Sequence, residues 1–328
     1  MKYRPLGKTG LEVSEIGFGA WSLGGGWGHQ DDSAGRDALR SAFELGINFF
    51  DTAYVYGDGH SEKLIGEALG DVRDRIVIAS KIPPKTFAWT KVDESPVGEV
   101  FPADWIVECT ERSLKLLGTD YLDVQQLHAW SDSYLDEPEW LEALTRLKKQ
   151  GKIRHFGVSA NDWNPYHTVR LAQSERIESI QVIYNLFEQR PAELLLPAAE
   201  EHGIGIIARV PFEEGLLTGK FRPGHAFADD DWRKDWMTED RLQVASPKIE
   251  ALEAELDADT PTLADLALKF VLGHPAISTV IPGMRTLEHV RKNVAVSEQP
   301  ALTEDKLAHL TRHKWYHGWP YPFELKKD

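Results

Sequence analysis

Four side chains in this sequence could together place a proton on a carbonyl oxygen: Asp51, Tyr56, Lys81 and His128. They sit at or just past the ends of three successive apolar runs, INFFD, IVIASK and DVQQLH. A free phenol has a pKa of about 10, so it is a weak acid near neutrality unless a cation stabilises its phenolate. Lys81 can be that cation and Asp51 the carboxylate that holds it. Tyr56 is then the general acid of a reduction, and His128 hydrogen-bonds the substrate oxygen. Each residue also has a plainer reading. Asp51 in FDTA can cap a turn, Tyr56 beside Gly57 can pack a loop, and a lone histidine is more often a satisfied core residue. Lys81 fits a plain role least well, because an ammonium following the apolar IVIAS needs an anionic partner.

The elements that must carry these residues follow from the apolar pattern. Short β-branched runs recur at EIGFGA, INFFDT, IVIASK, YLDVQQLH, IRHFGVS, SIQVIYN, GIGIIARV and STVIPG. Amphipathic helical stretches such as SEKLIGEALG, WIVECTERSLKLLG and EWLEALTRLKKQG separate most of them. Strand and helix alternating in this way predict an α/β fold, a (β/α)8 TIM barrel, whose active face lies at the C-terminal ends of the strands. That face is where the four residues fall. The leading YRPLGKTGLEVS reads as a β-hairpin turning at KTG and closing the barrel bottom. Without internal repeats or a low-complexity linker, residues 1–328 read as a single domain.

Three connections are long: 83–102, 221–246 and the tail 311–328. They carry Trp89, Phe101, Trp232, Trp236, Trp315, Tyr316 and Trp319. One such ring usually anchors its own loop, but together they suggest aromatic pocket walls. The residues expected to face substrate are Trp21, Trp27, Trp89, Trp130 and Trp319. The acidic run 229–231 reads as a solvated surface.

Composition excludes other classes. A net charge of -15 lacks the basic footprint of a nucleic-acid binder, and no apolar run approaches the roughly 18 residues of a membrane span. A single cysteine, Cys109, permits no internal disulfide, and the cytoplasm is the expected compartment. The histidines show no HExxH spacing, so no metal is expected. A Rossmann reading fails because GFGAWS lacks the third glycine and Gly19 lies farther from Asp51 than the roughly 20 residues that fingerprint requires. GLLTGK falls short of a P-loop.

The chain resembles the aldo-keto reductases. The likeness runs from KYRPLGKTGLEVSEIGFGAW through INFFDTAYVYGDGHSEKLIGEAL, GKIRHFGVS and GLLTGK to VIPGMRTLEHVRKN. It implies that Asp51, Tyr56, Lys81 and His128 form the family's catalytic tetrad. It also implies an NAD(P)H cofactor extended across the barrel mouth, NADPH rather than NADH, with a small carbonyl compound as substrate. By this resemblance Trp21, Asp51, Ser159, Asn161 and Gln181 lie at the nicotinamide end, Gly215, Leu216 and Lys220 beside the pyrophosphate, and Gly283, Arg285, His289 and Asn293 at the adenosine end. Physically, Gly283 lets backbone approach a phosphate, the helix starting near Thr286 offers free N–H groups, and Arg285 can fork onto a 2′-phosphate. Two departures stand out. Ala160 separates Ser159 from Asn161, and Arg209 occupies the end of strand seven, where the family often stacks an aromatic ring on the nicotinamide. A guanidinium can also stack there or reach a phosphate.

The leading expectation is therefore reversible reduction of aldehydes or ketones. Its rivals are an NADPH-binding, redox-sensing regulatory subunit and a hydrolase or lyase on the same barrel. Sugars, aryl aldehydes and ketosteroids suit aromatic walls equally, and a homo-oligomer stays open.

Overall fold

The computed structural model describes residues 1–28 and 30–316. Two short strands, β1 (Tyr3–Pro5) and β2 (Glu12–Ser14), form the expected antiparallel hairpin. Eight parallel strands follow in sequential order: β3 (Phe18–Gly19), β4 (Phe49–Asp51), β5 (Val77–Ile82), β6 (Leu122–Leu127), β7 (Ile153–Ser159), β8 (Ser179–Ile183), β9 (Gly205–Arg209) and β10 (Ile277–Val280). Each coincides with a run read as a strand from sequence, β5 reaching one residue past IVIASK to Ile82 and β10 starting one residue before STVIPG at Ile277. The sheet closes where β10 returns to the first strand, through parallel bridges Ile16 to Val280 and Gly19 to Gly283.

The side chains inside the barrel place the site. Phe49, Val77, Ala79, Val124, Ile207 and Ile281 fill the interior, and Leu6 and Val13 of the hairpin region plug its base. Because strand side chains alternate between faces, each residue two positions further along points inward as well. Asp51 therefore follows Phe49, Lys81 follows Ala79, His128 lies four beyond Val124, and Arg209 follows Ile207. A second, larger apolar layer joins the outer strand faces to the helices. It includes the buried Cys109 on the helix Ala103–Leu117, whose thiol burial pushes far above its ordinary range.

The long connections have more internal structure than expected. The 83–102 segment holds a 3-10 turn at Trp89–Glu94 and a short helix at Val97–Val100. The second connection ends at residue 238, because a helix Glu239–Glu253 begins there despite containing Pro247. Thr238 caps it by accepting from the Arg241 N–H, and Glu239 and Asp240 complement the helix dipole in the first turn. Trp319 lies outside the described residues.

Candidate active site

Lys81 is fully buried, and its ammonium donates to Asp51 Oδ1 at 2.5 Å, the Thr52 carbonyl at 2.7 Å and Tyr56 Oη at 3.3 Å. Desolvation pulls the lysine below its ordinary range, while the adjoining Asp51 carboxylate opposes that pull. The second Asp51 oxygen is also engaged, accepting from Gln181 Nε2 at 2.7 Å. His128 faces Tyr56 with ring centroids 6.0 Å apart. Burial, then the Lys81 and Arg209 cations, holds the imidazole well below its ordinary range, so it is neutral at physiological pH. The four residues singled out from sequence thus meet at one point: a buried cation touching a phenol, with a neutral imidazole opposite.

Tyr56 lies on the loop between β4 and the helix His60–Leu69 and is delivered by a close backbone crossing. Gly57 has φ +64°, and a Cβ there would meet the Gly24 carbonyl oxygen at 2.4 Å. A Cβ on Gly24 would in turn meet the Tyr56 carbonyl carbon at 2.4 Å. Only glycine lets these loops touch, and the contact sets the phenol against the first barrel loop.

Indoles surround the tetrad. Trp21 stacks on Tyr56 at 6.0 Å and 24°, and Trp89 meets His128 edge-on at 5.0 Å. Trp21 also contacts Trp27 at 4.9 Å and Trp232 at 5.6 Å, while Trp27 and Trp232 lie 5.5 Å apart. Backbone bonds reinforce this trio: the Trp232 N–H donates to the Gly26 carbonyl at 2.9 Å, and Trp27 bridges to Asp231. Arg233 pairs with Asp231 at 2.6 Å and lies 4.8 Å from the Trp27 ring centroid. Arg285 donates to the Trp27 carbonyl at 2.5 Å. The loop after β3, the segment after β9 and the turn after β10 therefore clasp one another at the barrel mouth.

Other expected site residues have varied placements. Ser159 and Gln181 are buried neighbours in register on β7 and β8, and Gln181 Oε1 is buried with no partner among the described residues. That orphaned acceptor fits an incoming amide N–H. Gly283 is exposed, with only Ser22 Oγ near its missing Cβ, at 3.9 Å. Thr286 caps the following helix, Leu287–Val296, by accepting from the His289 N–H, which leaves the first N–H groups of that turn open toward an anion. Asn293 is buried on this helix and His289 is exposed. Gly215 has φ +105°, Leu216 is fully buried, and Lys220 is exposed beside the Phe221 ring.

Four expectations change, the first being the acidic run 229–231, where Asp231 is not solvated but buried against Arg233. Asn161 turns to the neighbouring loop, accepting from the Trp130 N–H at 3.0 Å and donating to its carbonyl at 2.8 Å. The interposed Ala160 shifts the chain by one residue, so this amide braces a loop and does not face the mouth. Trp130 is no pocket wall: its indole is fully buried against Tyr134 and Trp140. Arg209 does not lie open for stacking, because its guanidinium is held by the Asp162 carboxylate and by the Ala160 carbonyl at 2.9 Å.

The comparisons with known proteins agree with this fold. The family model described as "Aldo/keto reductase family" matches residues 15–314. The chain belongs to the aldo/keto reductase family. It is 32% identical over 311 residues to the NADH-specific methylglyoxal reductase of Escherichia coli (strain K12), covering 90% of this chain and 93% of the relative. The holo form of aldo-keto reductase AKR11C1 from Bacillus halodurans superposes with a TM-score of 0.75 at 30% identity, over 96% of both chains. An aldo/keto reductase from Klebsiella pneumoniae in complex with NADP and acetate gives 0.68 at 27% identity, over 95% of both chains. This reductase is accordingly an NAD(P)H-dependent oxidoreductase on a (β/α)8 barrel. Among the described residues no helix is long and apolar enough to cross a membrane.

Sequence reading missed several features in and around the reductase's candidate site. Gln181 was assigned to the cofactor alone, yet it holds Asp51, a residue 130 positions away. The loop after β9 contains adjacent buried glutamates, Glu213 and Glu214, at φ +47° and +53°. Asn185 donates to Glu213 at 2.6 Å, and burial together with Glu213 pushes the Glu214 carboxyl well above the usual range. The signal was present in VPFEEG, where paired acids sit inside an otherwise apolar turn.

Proposed function

We propose that this reductase transfers hydride from NADPH to the carbonyl carbon of an aldehyde or ketone while Tyr56 protonates the oxygen. The observation that carries the reading is the buried Lys81 ammonium, hydrogen-bonded at once to Asp51 and Tyr56. A cation held against the phenol stabilises the charge left as the proton departs. Asp51 keeps that cation in place, since an unpaired buried ammonium is strongly disfavoured. Neutral His128 hydrogen-bonds the substrate oxygen and orients it toward Tyr56. By microscopic reversibility the same phenol accepts a proton when an alcohol is oxidised.

When bound, the dihydronicotinamide supplies the hydride. Trp21, Ser159 and Gln181 would hold its end of the cofactor, Gly215, Leu216 and Lys220 its middle, and Gly283, Arg285, His289 and Asn293 the adenosine end. Trp21, Trp27 and Trp89 would wall the substrate. The preference for NADPH rests on Arg285 and has support from the NADP complex of the Klebsiella relative, whereas the Escherichia coli relative is named NADH-specific. The reductase is read as a single-domain enzyme of the cytoplasm.

The test is to mix the protein with NADPH or NADH and a panel of aldehydes and ketones, following nicotinamide absorbance. Oxidation of the cofactor by at least one carbonyl is expected. Tight cofactor binding with no oxidation by any of them would replace this reading with the redox-sensing subunit. Turnover without cofactor would point to a hydrolase or lyase.

A further inference from the structure

We infer that Gln181 is a positioning residue that links the seating of the nicotinamide carboxamide to the Asp51–Lys81 pair, and so to the acidity of Tyr56. The inference rests on the acid role proposed for Tyr56. Each Asp51 oxygen is held by a different side chain, Oδ1 by Lys81 at 2.5 Å and Oδ2 by Gln181 Nε2 at 2.7 Å. The Gln181 amide is 1% exposed, and its Oε1 has no partner among the described residues. One end of a single amide is thus fixed to the proton-handling pair, and the other is an open acceptor beside Ser159.

An amide whose oxygen accepts a hydrogen bond donates more strongly through its nitrogen. A carboxamide N–H arriving at Oε1 therefore tightens the Nε2 contact to Asp51. That contact steadies the carboxylate, the carboxylate aims Lys81, and Lys81 faces Tyr56 Oη. Before the acceptor is filled, Gln181 is anchored at one end only and holds Asp51 less firmly. The other charged or titratable groups acting on this chain of contacts are His128 from the end of β6, Arg209 from β9 and Glu62 from the helix after Tyr56. On Asp51 Oδ2 itself the donor is Gln181 Nε2, at 2.7 Å.

The experiment uses Gln181→Met, which keeps length and burial but removes both amide ends, and Gln181→Glu, which sets a carboxylate against Asp51. Cofactor affinity is read by tryptophan fluorescence. The high-pH limb of carbonyl reduction is read at saturating cofactor, where Tyr56 must be protonated. Gln181→Met should weaken cofactor binding by about tenfold or less and move the limb upward by about one pH unit or less, as expected for one lost hydrogen bond. In Gln181→Glu the two facing carboxyls should share a proton, so that activity gains a second titration and falls as pH rises through it. Weaker cofactor binding with the wild-type limb in Gln181→Met would make Gln181 a binding residue only and overturn the coupling. So would a Gln181→Glu profile without a new titration, which remains a test if Gln181→Met does not fold. Tyr56→Phe is measured alongside: wild-type turnover there would sink the acid assignment itself, whereas an inactive Tyr56→Phe with an unmoved Gln181→Met limb sinks the coupling alone.

Discussion

The two sides of the barrel mouth are held by different means. Asp51, Lys81 and His128 stand on or just past strand ends, above columns that begin with Phe49, Val77 and Val124 deep in the core. The facing clasp is made of loop residues, Trp21, Trp27, Trp232, Arg233 and Arg285, joined by ring contacts, one ion pair and a few backbone bonds. A one-residue slip of β5 would turn Lys81 out of the mouth together with Val77 and Ala79, the interior side chains of that strand, so its placement is tied to the stability of the barrel. No comparable penalty fixes the clasp. On the proposed reading, proton-transfer geometry is inherited from the strand pleat, while the grip on the cofactor beyond its nicotinamide end would come from replaceable loop contacts. Changes on the first side should act on turnover, and changes on the second on affinity.

The largest expected effect tests the first side. Tyr56→Phe keeps the ring against Trp21 but removes the proton donor, and should lower kcat by about 10²–10⁴-fold with cofactor affinity nearly intact. Wild-type kcat where chemistry is rate-limiting would show the mechanism to be wrong. Lys81→Met should follow closely, collapsing activity in both directions because Tyr56 and Asp51 lose their shared cation. Its residual alcohol oxidation should need higher pH than wild type, and an unchanged pH profile would mean the two residues are not coupled.

On the clasp side, Arg285→Ala should leave kcat at saturating cofactor largely unchanged. Both cofactors should bind somewhat less well, because the bond to the Trp27 carbonyl is lost. NADPH should suffer an additional loss of about 1.5–3 kcal/mol, roughly ten- to hundredfold in affinity, if the guanidinium also grips the 2′-phosphate. Fluorescence titration of both cofactors at low and high salt measures this, since rising salt should erode the NADPH excess. Equal losses would confine Arg285 to the clasp and leave NADH a live cofactor.

The smallest effect concerns stability. Burial holds His128 below its ordinary range, so as pH falls the unfolded chain takes up that proton first. The stability tied to neutral His128 is full above the ordinary histidine value and is lost as pH falls through the folded one, with a slope of at most about 1.4 kcal/mol per pH unit. Wild type should therefore lose more Tm than His128→Gln between neutrality and about pH 5. Parallel losses would show that His128 is not held neutral.

The barrel was legible because its strands are buried on both faces and read as continuous β-branched runs. The meeting of Asp51, Lys81, Tyr56 and His128 was legible for the same reason, once strand ends were taken as the active face. What was not legible depended on where single side chains turn in loops. The sequence around Trp130 does not say whether its indole faces the mouth or the core. The one-residue shift introduced by Ala160 sends Asn161 to the Trp130 loop, and Arg209 finds Asp162 only because β7 and β9 flank β8. The bond from Gln181 to Asp51 crosses the closed barrel, and spacing along the chain carries no trace of it. Pro247 masked the helix Glu239–Glu253, though Thr238 with two following acids was a recognisable helix start.

The indole trio of the clasp has an optical consequence. Chromophores stacked or set edge-on at van der Waals separation share their excited states, so Trp21, Trp27 and Trp232 should give a paired, oppositely signed band in the circular dichroism of the cofactor-free protein. The core pair Trp130 and Trp140, 5.0 Å apart, adds a couplet of its own, from which that of the trio is told apart by its loss in Trp27→Phe. Disappearance of the trio's couplet on dilution into mild denaturant, ahead of the main unfolding transition, would time the parting of the two loops directly, without a substrate, a cofactor or an introduced label.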